Sequence, residues 1–178
     1  MAPHLKLAWD RNRQAVDLAG CRVAFAPAHL SPFEAEVWVE EQDTWLSWNR
    51  RSPPGSHNEL IRRLLDRMDP DCPYPAGEVL STGGRPLRLS AIVHDIDQEP
   101  SCRIEWIGRA LATIIGLCRS QRFTRLALPP LGTQRGGVPM TEFLELLERQ
   151  LEERDMTGRL RIWLVTDHPP PQELAEGA

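Results

Sequence analysis

Residues 126–140 read LALPPLGTQRGGVPM. An apolar run, Leu126-Ala127-Leu128, climbs to two prolines. A loop with three glycines follows, Gly132, Gly136 and Gly137, and it carries one arginine, Arg135. Beyond Pro139 the spacing turns helical. Met140, Phe143, Leu144, Leu147 and Leu151 share one face, with Glu142 and Glu145 near the positive end of the helix. The stretch predicts a strand, a glycine loop and a helix start. In open α/β sheets, ligands settle beyond the carboxyl ends of the strands. Glycines let backbone N–H groups approach an anion, and a following helix adds the positive end of its dipole. Residues 132–137 therefore suit a phosphate cradle. A tight strand-to-helix turn would use the same glycines, and the loop alone does not separate the two readings. It is not a P-loop, since no Gly-Lys-Ser/Thr follows, and it lacks the G-x-G-x-x-G dinucleotide fingerprint.

The alternation of strand and helix extends outward from this loop. Residues 21–27, 36–40, 77–82, 90–96, 124–129 and 160–167 read as strands, and 5–9 as a short first strand. Residues 10–19 fit a short helix or a turn equally. Ser56-His57-Asn58-Glu59 has capping-box form before a stripe of Leu60, Ile61, Leu64, Leu65 and Met68. Pro100 and Ser101 open a helix whose buried stripe is Ile104, Ile107, Leu111, Ile114, Ile115 and Cys118. Residues 160–167 are almost continuously apolar, which suits a strand covered on both faces. The expected architecture is α/β, with helices on both sides of a central sheet.

Composition narrows the class. A chain of 178 residues with 41% apolar and 26% charged residues is expected to form one domain with its own core. The formal net charge of −4 supplies no global basic field, so nucleic acid is not the expected partner, although a local basic patch stays open. There is no apolar run of membrane-spanning length and no signal-peptide pattern at the start. Cys21, Cys72, Cys102 and Cys118 are far apart and form no C-x-x-C pair. Buried free thiols in a cytoplasmic protein are expected, with no disulfide framework, zinc site or cofactor. The Pro-rich tail, 169–178, is expected to be disordered.

Several segments together resemble a family. Residues 130–139, P-L-G-T-Q-R-G-G-V-P, are similar to the second phosphate loop of macro domains, the ADP-ribose-binding modules. SAIVHDID (90–97) looks like the family strand that ends in Ile-His. Cys72-Pro73, Gly77-Glu78-Val79, Ser81-Thr82-Gly83-Gly84 and Leu87 follow the family's run between its first helix and that strand. AHLSPFEAEVWVEEQD (28–43) has the length and apolar pattern of its Gly-Asp-Ile-Thr segment and the strand ending Asn-Ala-Ala-Asn. The resemblance covers roughly residues 20–167. It implies a three-layer α/β/α sandwich with a central mixed, mainly parallel sheet. It also implies a single domain over 1–168, with 1–19 as an N-terminal extension.

The departures bear on function. His29 stands where the family carries an aspartate for the adenine amino group. Glu40-Glu41-Gln42-Asp43 replaces Asn-Ala-Ala-Asn, so Asp43 is placed near the distal ribose. Ionised Asp43 accepts hydrogen bonds but cannot donate them, and three carboxyl groups together would repel a pyrophosphate. The first phosphate loop, 49–57, keeps Gly55 with Ser56, and its prolines remove N–H donors. Arg50, Arg51 and Arg135 could supply charge in their place.

Other residues carry two readings each. His94 could be a base, but spacing identifies no acid partner, and a structural histidine is the blander reading. Glu40, Glu41 and Asp43 could hold a divalent cation or form a solvated loop. Trp45 and Trp48 could stack on a base or ribose, or cap an apolar edge. The leading expectation is a macro-like domain that binds ADP-ribose or a related nucleotide diphosphate without efficient hydrolysis. Gly132, Thr133, Gln134, Arg135, Gly136 and Gly137 would hold phosphate, His29 the base, and Gly55 and Ser56 the first-loop contacts. Two alternatives stand beside it. One is an ADP-ribosyl hydrolase using Asp43. The other is a scaffold that has lost the nucleotide and meets a protein through Trp45 and Trp48; in that case a tryptophan or the proline loop should fill the cleft.

Overall fold

The computed structural model describes residues 15–27, 34–48 and 72–166. Its strands are β1 (Ala15–Leu18), β2 (Cys21–Ala26), β3 (Val37–Asp43), β4 (Val79–Gly83), β5 (Leu87–His94), β6 (Arg125–Leu128) and β7 (Arg161–Val165). The two helices among the described residues are α1 (Ile104–Gln121) and α2 (Met140–Glu153). All seven strands join one sheet in the order β1-β2-β7-β6-β3-β5-β4. Strands β2, β7, β6, β3 and β5 pair in parallel, while β1 and β4 close the two edges antiparallel. The sheet is therefore mixed and mainly parallel, as expected.

Period-two alternation places the core. Val23, Phe25, Val37, Val39, Leu89, Ala91, Val93, Leu126, Leu128, Ile162 and Leu164 join a single apolar cluster with the buried stripes of α1 and α2. In α1 that stripe includes Ile107, Leu111, Ile114 and Ile115, as the spacing predicts. Each such side chain contributes about 1.5–3 kcal/mol on burial. The intervening residues Ser90, Ile92 and Ala127 are buried too, so the other face of the sheet is also covered. Leu46, Tyr74 and Leu80 pack around Ile92 there. The helix expected at 60–68, the strand at 5–9, the first phosphate loop with Gly55 and Ser56, His29 and the tail lie outside the described residues.

Some boundaries move. Residues 15–18 form an edge strand rather than the helix or turn that 10–19 suggested. Ala19 and Gly20, at φ +49° and +70°, make the two-residue turn into β2. Helix α1 starts at Ile104, after the extended Arg103, and stops where Arg122 turns left-handed and the Phe123 N–H bonds the Cys118 carbonyl. At the opposite end of the sheet from the glycine loop, Glu36 accepts the N–H groups of Thr124 and Arg125 and so ties β3 to β6. The Thr124 N–H holds its carboxyl below the usual carboxylate range. The cysteines are free. Cys21, Cys102 and Cys118 are buried as expected, whereas Cys72 is exposed on its proline-rich segment. No described helix is long and apolar enough to cross a membrane.

Candidate functional site

Because β3, β5, β6 and β7 run parallel, their carboxyl ends share one edge. Asp43, His94, Thr166 and the loop 129–139 meet there. The glycines of the loop serve packing first. A Cβ on Gly136 would lie 2.5 Å from Cys102 Cβ and 2.7 Å from the Gly132 carbonyl oxygen. One on Gly132 would lie 2.6 Å from Ile107 Cδ1 and 2.9 Å from Cys102 Sγ. Both glycines let the loop close onto Cys102. Gly137 faces open space and is required only by its φ of +69°.

The backbone donors divide into two groups. Gly132 N–H donates to Glu41 Oε1 at 3.1 Å, and Thr133 N–H to the Pro130 carbonyl. Gly136 and Val138 N–H both donate to the Gly132 carbonyl. The N–H groups of Gln134, Arg135 and Gly137 make no bond among the described residues. The Thr133 hydroxyl and the Gln134 amide are already engaged, donating to the Pro130 carbonyl and to Thr166 Oγ1.

The acidic run Glu40-Glu41-Gln42-Asp43 continues β3, and its charges separate by strand alternation. Glu40 pairs with Arg88 at 3.4 Å. Glu41 reaches under the loop and bonds His94 Nε2 as well as Gly132. A carboxylate only accepts, so Nε2 carries the proton and donates. Asp43 is 0% exposed. It accepts the N–H groups of Trp45 at 2.7 Å and Ser47 at 3.0 Å, and also the Ser47 hydroxyl. Its carboxylate thereby builds the turn that presents Trp48. Among the described residues no group of three or more His, Cys, Asp or Glu is placed to hold a metal ion.

Trp48 sits at the centre of the edge. Its ring lies 4.6 Å from the His94 ring, tilted by 52°, and the Arg135 guanidinium carbon lies 4.2 Å from its centroid. Trp45 is turned elsewhere, and its Nε1 donates to Asp97 at 2.7 Å. Cys102, beneath the loop, has its thiol pushed up to about 12 by burial, with the Glu41 charge adding to the shift. It is no nucleophile at neutral pH.

Sequence reasoning missed the acid partner of His94. Glu41 lies 53 residues away and meets it only because β3 and β5 are neighbours. The carboxylates were visible; the register that joins them to His94 was not.

Two surface cavities lie away from this edge. One, of about 510 Å³, is lined by Gly77, Glu78, Arg109 and Thr113, and there Arg109 donates to the Ala76 carbonyl. The other, of about 300 Å³, is lined by Arg119, Arg122, Phe123, Met156 and Arg159, and Asp155 pairs with both Arg119 and Arg159.

No family model and no curated protein matches the sequence. Solved structures do match the fold. A glycine-to-valine mutant of the Oceanobacillus iheyensis macrodomain with ADPR is 11% identical, with a TM-score of 0.63 over 87% of this chain and 90% of that one. The same macrodomain with ADP is also 11% identical, with a TM-score of 0.64 over 87% and 88%. The macrodomain of Thermus aquaticus DarG is 18% identical, with a TM-score of 0.58 over 80% and 97%. The sheet order and these likenesses define an α/β domain built on a mixed, mainly parallel sheet. The chain has the macro domain fold.

Proposed function

We propose that this domain binds ADP-ribose or a related nucleotide diphosphate at the 132–137 loop and does not hydrolyse it efficiently. The buried Asp43 carboxylate carries the second half of this reading. A general base must reach a water and a substrate atom, and this carboxylate is spent on Trp45 and Ser47. Three observations support the first half. The N–H groups of Gln134, Arg135 and Gly137 have no bond among the described residues. Exposed Arg135 stands beside them. Macrodomains of the same fold have been solved with ADPR and with ADP. Calorimetry with ADP-ribose, ADP and AMP, followed by incubation with an ADP-ribosylated protein, tests both halves. Binding without release of the modification is expected; turnover at enzymatic rates would return the hydrolase reading.

Trp48 favours a second reading, a protein-interaction scaffold. Its ring lies between residues of β5 and of the glycine loop, where an open cleft would be expected. In that case none of the three nucleotides binds, and the edge instead buries an aromatic anchor against a partner.

A further inference from the structure

Arg135 and Trp48 form a contact that a bound anion would have to break. Arg135 is exposed, and among the described residues its guanidinium meets no carboxylate. It rests 4.2 Å from the centroid of the Trp48 ring. Its own backbone N–H makes no bond among the described residues. A cation over an aromatic face at an exposed site is weakly held. A phosphate offers the guanidinium fork two parallel charge-assisted hydrogen bonds, which a ring cannot.

From this we infer that Arg135 is a two-position residue, parked on Trp48 when the loop is empty and transferred to phosphate when the loop is filled. The inference rests on the nucleotide reading above and adds regulation to it. Transfer strips the guanidinium from Trp48 and leaves its indole contacting His94 alone of the two. Phosphate capture and exposure of the Trp48 face then become one equilibrium. Such coupling is reciprocal: whatever weakens the Arg135–Trp48 contact must tighten the ligand.

The test titrates ADP, with inorganic pyrophosphate as the base-free control, reading heat and tryptophan emission in parallel. In the wild type, emission changes along the calorimetric isotherm. Trp48→Leu abolishes that change and tightens ADP binding by about two- to fivefold, the release of one exposed cation–π contact. Trp48→Phe keeps a ring and gives a smaller gain. Arg135→Ala binds ADP more weakly and shows no emission change. ADP that binds by heat while emission stays flat, or a Trp48→Leu affinity equal to or below wild type, overturns the coupling and leaves the nucleotide reading intact. No heat with either probe overturns both.

Discussion

Gly132 donates its backbone N–H to Glu41, 91 residues earlier in the chain. The loop that looks made for phosphate thus has its first donor committed to an internal carboxylate. The same oxygen bonds His94, so Glu41 joins β3, β5 and the β6–α2 loop in one contact. The Glu41 side chain is 12% exposed and that of His94 2% exposed. Removing the acceptor leaves the buried His94 N–H unsatisfied, at about 1–3 kcal/mol. Glu41→Ala should therefore lower Tm by roughly 2–12 °C for a domain of this size. Glu41→Gln, which keeps an acceptor, should lose less. Equal melting temperatures for wild type and Glu41→Ala would remove this contact from the account.

The glycines can be separated by substitution. Gly136→Ala drives a methyl against Cys102 Cβ and the Gly132 carbonyl, neither of which can swing away. Overpacking of this kind costs about 1–3 kcal/mol. Gly137→Ala meets no atom and is charged only for its left-handed backbone, about 1–2 kcal/mol. Denaturant melts should show Gly136→Ala to be at least as damaging, together with a disturbed Cys102 environment. If only Gly137→Ala were destabilising, the packing explanation would fail.

Asp43→Ala should cost about 2 kcal/mol, because it deletes the acceptor for two backbone N–H groups and a hydroxyl. The loss should be visible as a changed Trp48 environment in near-UV circular dichroism. A variant as stable as wild type, with unchanged near-UV signal, would mean that this carboxylate does not build the turn.

The thiols predict an alkaline limb. Cys102 and Cys118 are both pushed up to about 12, first by burial. An unfolded thiol ionises near 9, so between about pH 9 and 12 the unfolded chain releases protons that the folded chain keeps. Stability should be flat with respect to these groups below pH 9 and fall above it. At pH 8 an alkylating reagent should modify exposed Cys72 quickly and the other three only on unfolding. Rapid modification of Cys102 in the native protein would contradict its burial beneath the loop.

The legible parts of this chain were those with local causes. The helix stripe at Ile107, Leu111 and Ile114 needs only period 3.6, and the glycine loop needs only close approach and a left-handed residue. The exposed Asp17 and the brevity of β1 hid an edge strand, although Ala19-Gly20 marks its hairpin turn. The strand was read only to Glu40, because charges seldom sit in strands, whereas β3 runs on to Asp43. Here each carboxylate finds its own partner on a neighbouring element: Arg88, His94 with Gly132, and the Trp45–Ser47 turn. Arg88 and His94 face the run through the β3–β5 register, which no short stretch of sequence encodes, whereas the Asp43 turn is local.

The proposal that the loop holds a nucleotide diphosphate stands or falls on binding. A thermal-shift titration with ADP-ribose, with AMP as control, addresses it most directly. Ligand at a hundred times its dissociation constant stabilises the folded state by about 2.7 kcal/mol, an upshift of roughly 5–10 °C for a domain of this length. ADP-ribose should give that shift and AMP a smaller one. No shift at millimolar ADP-ribose would contradict it and leave Trp48 at the centre of a protein interface instead.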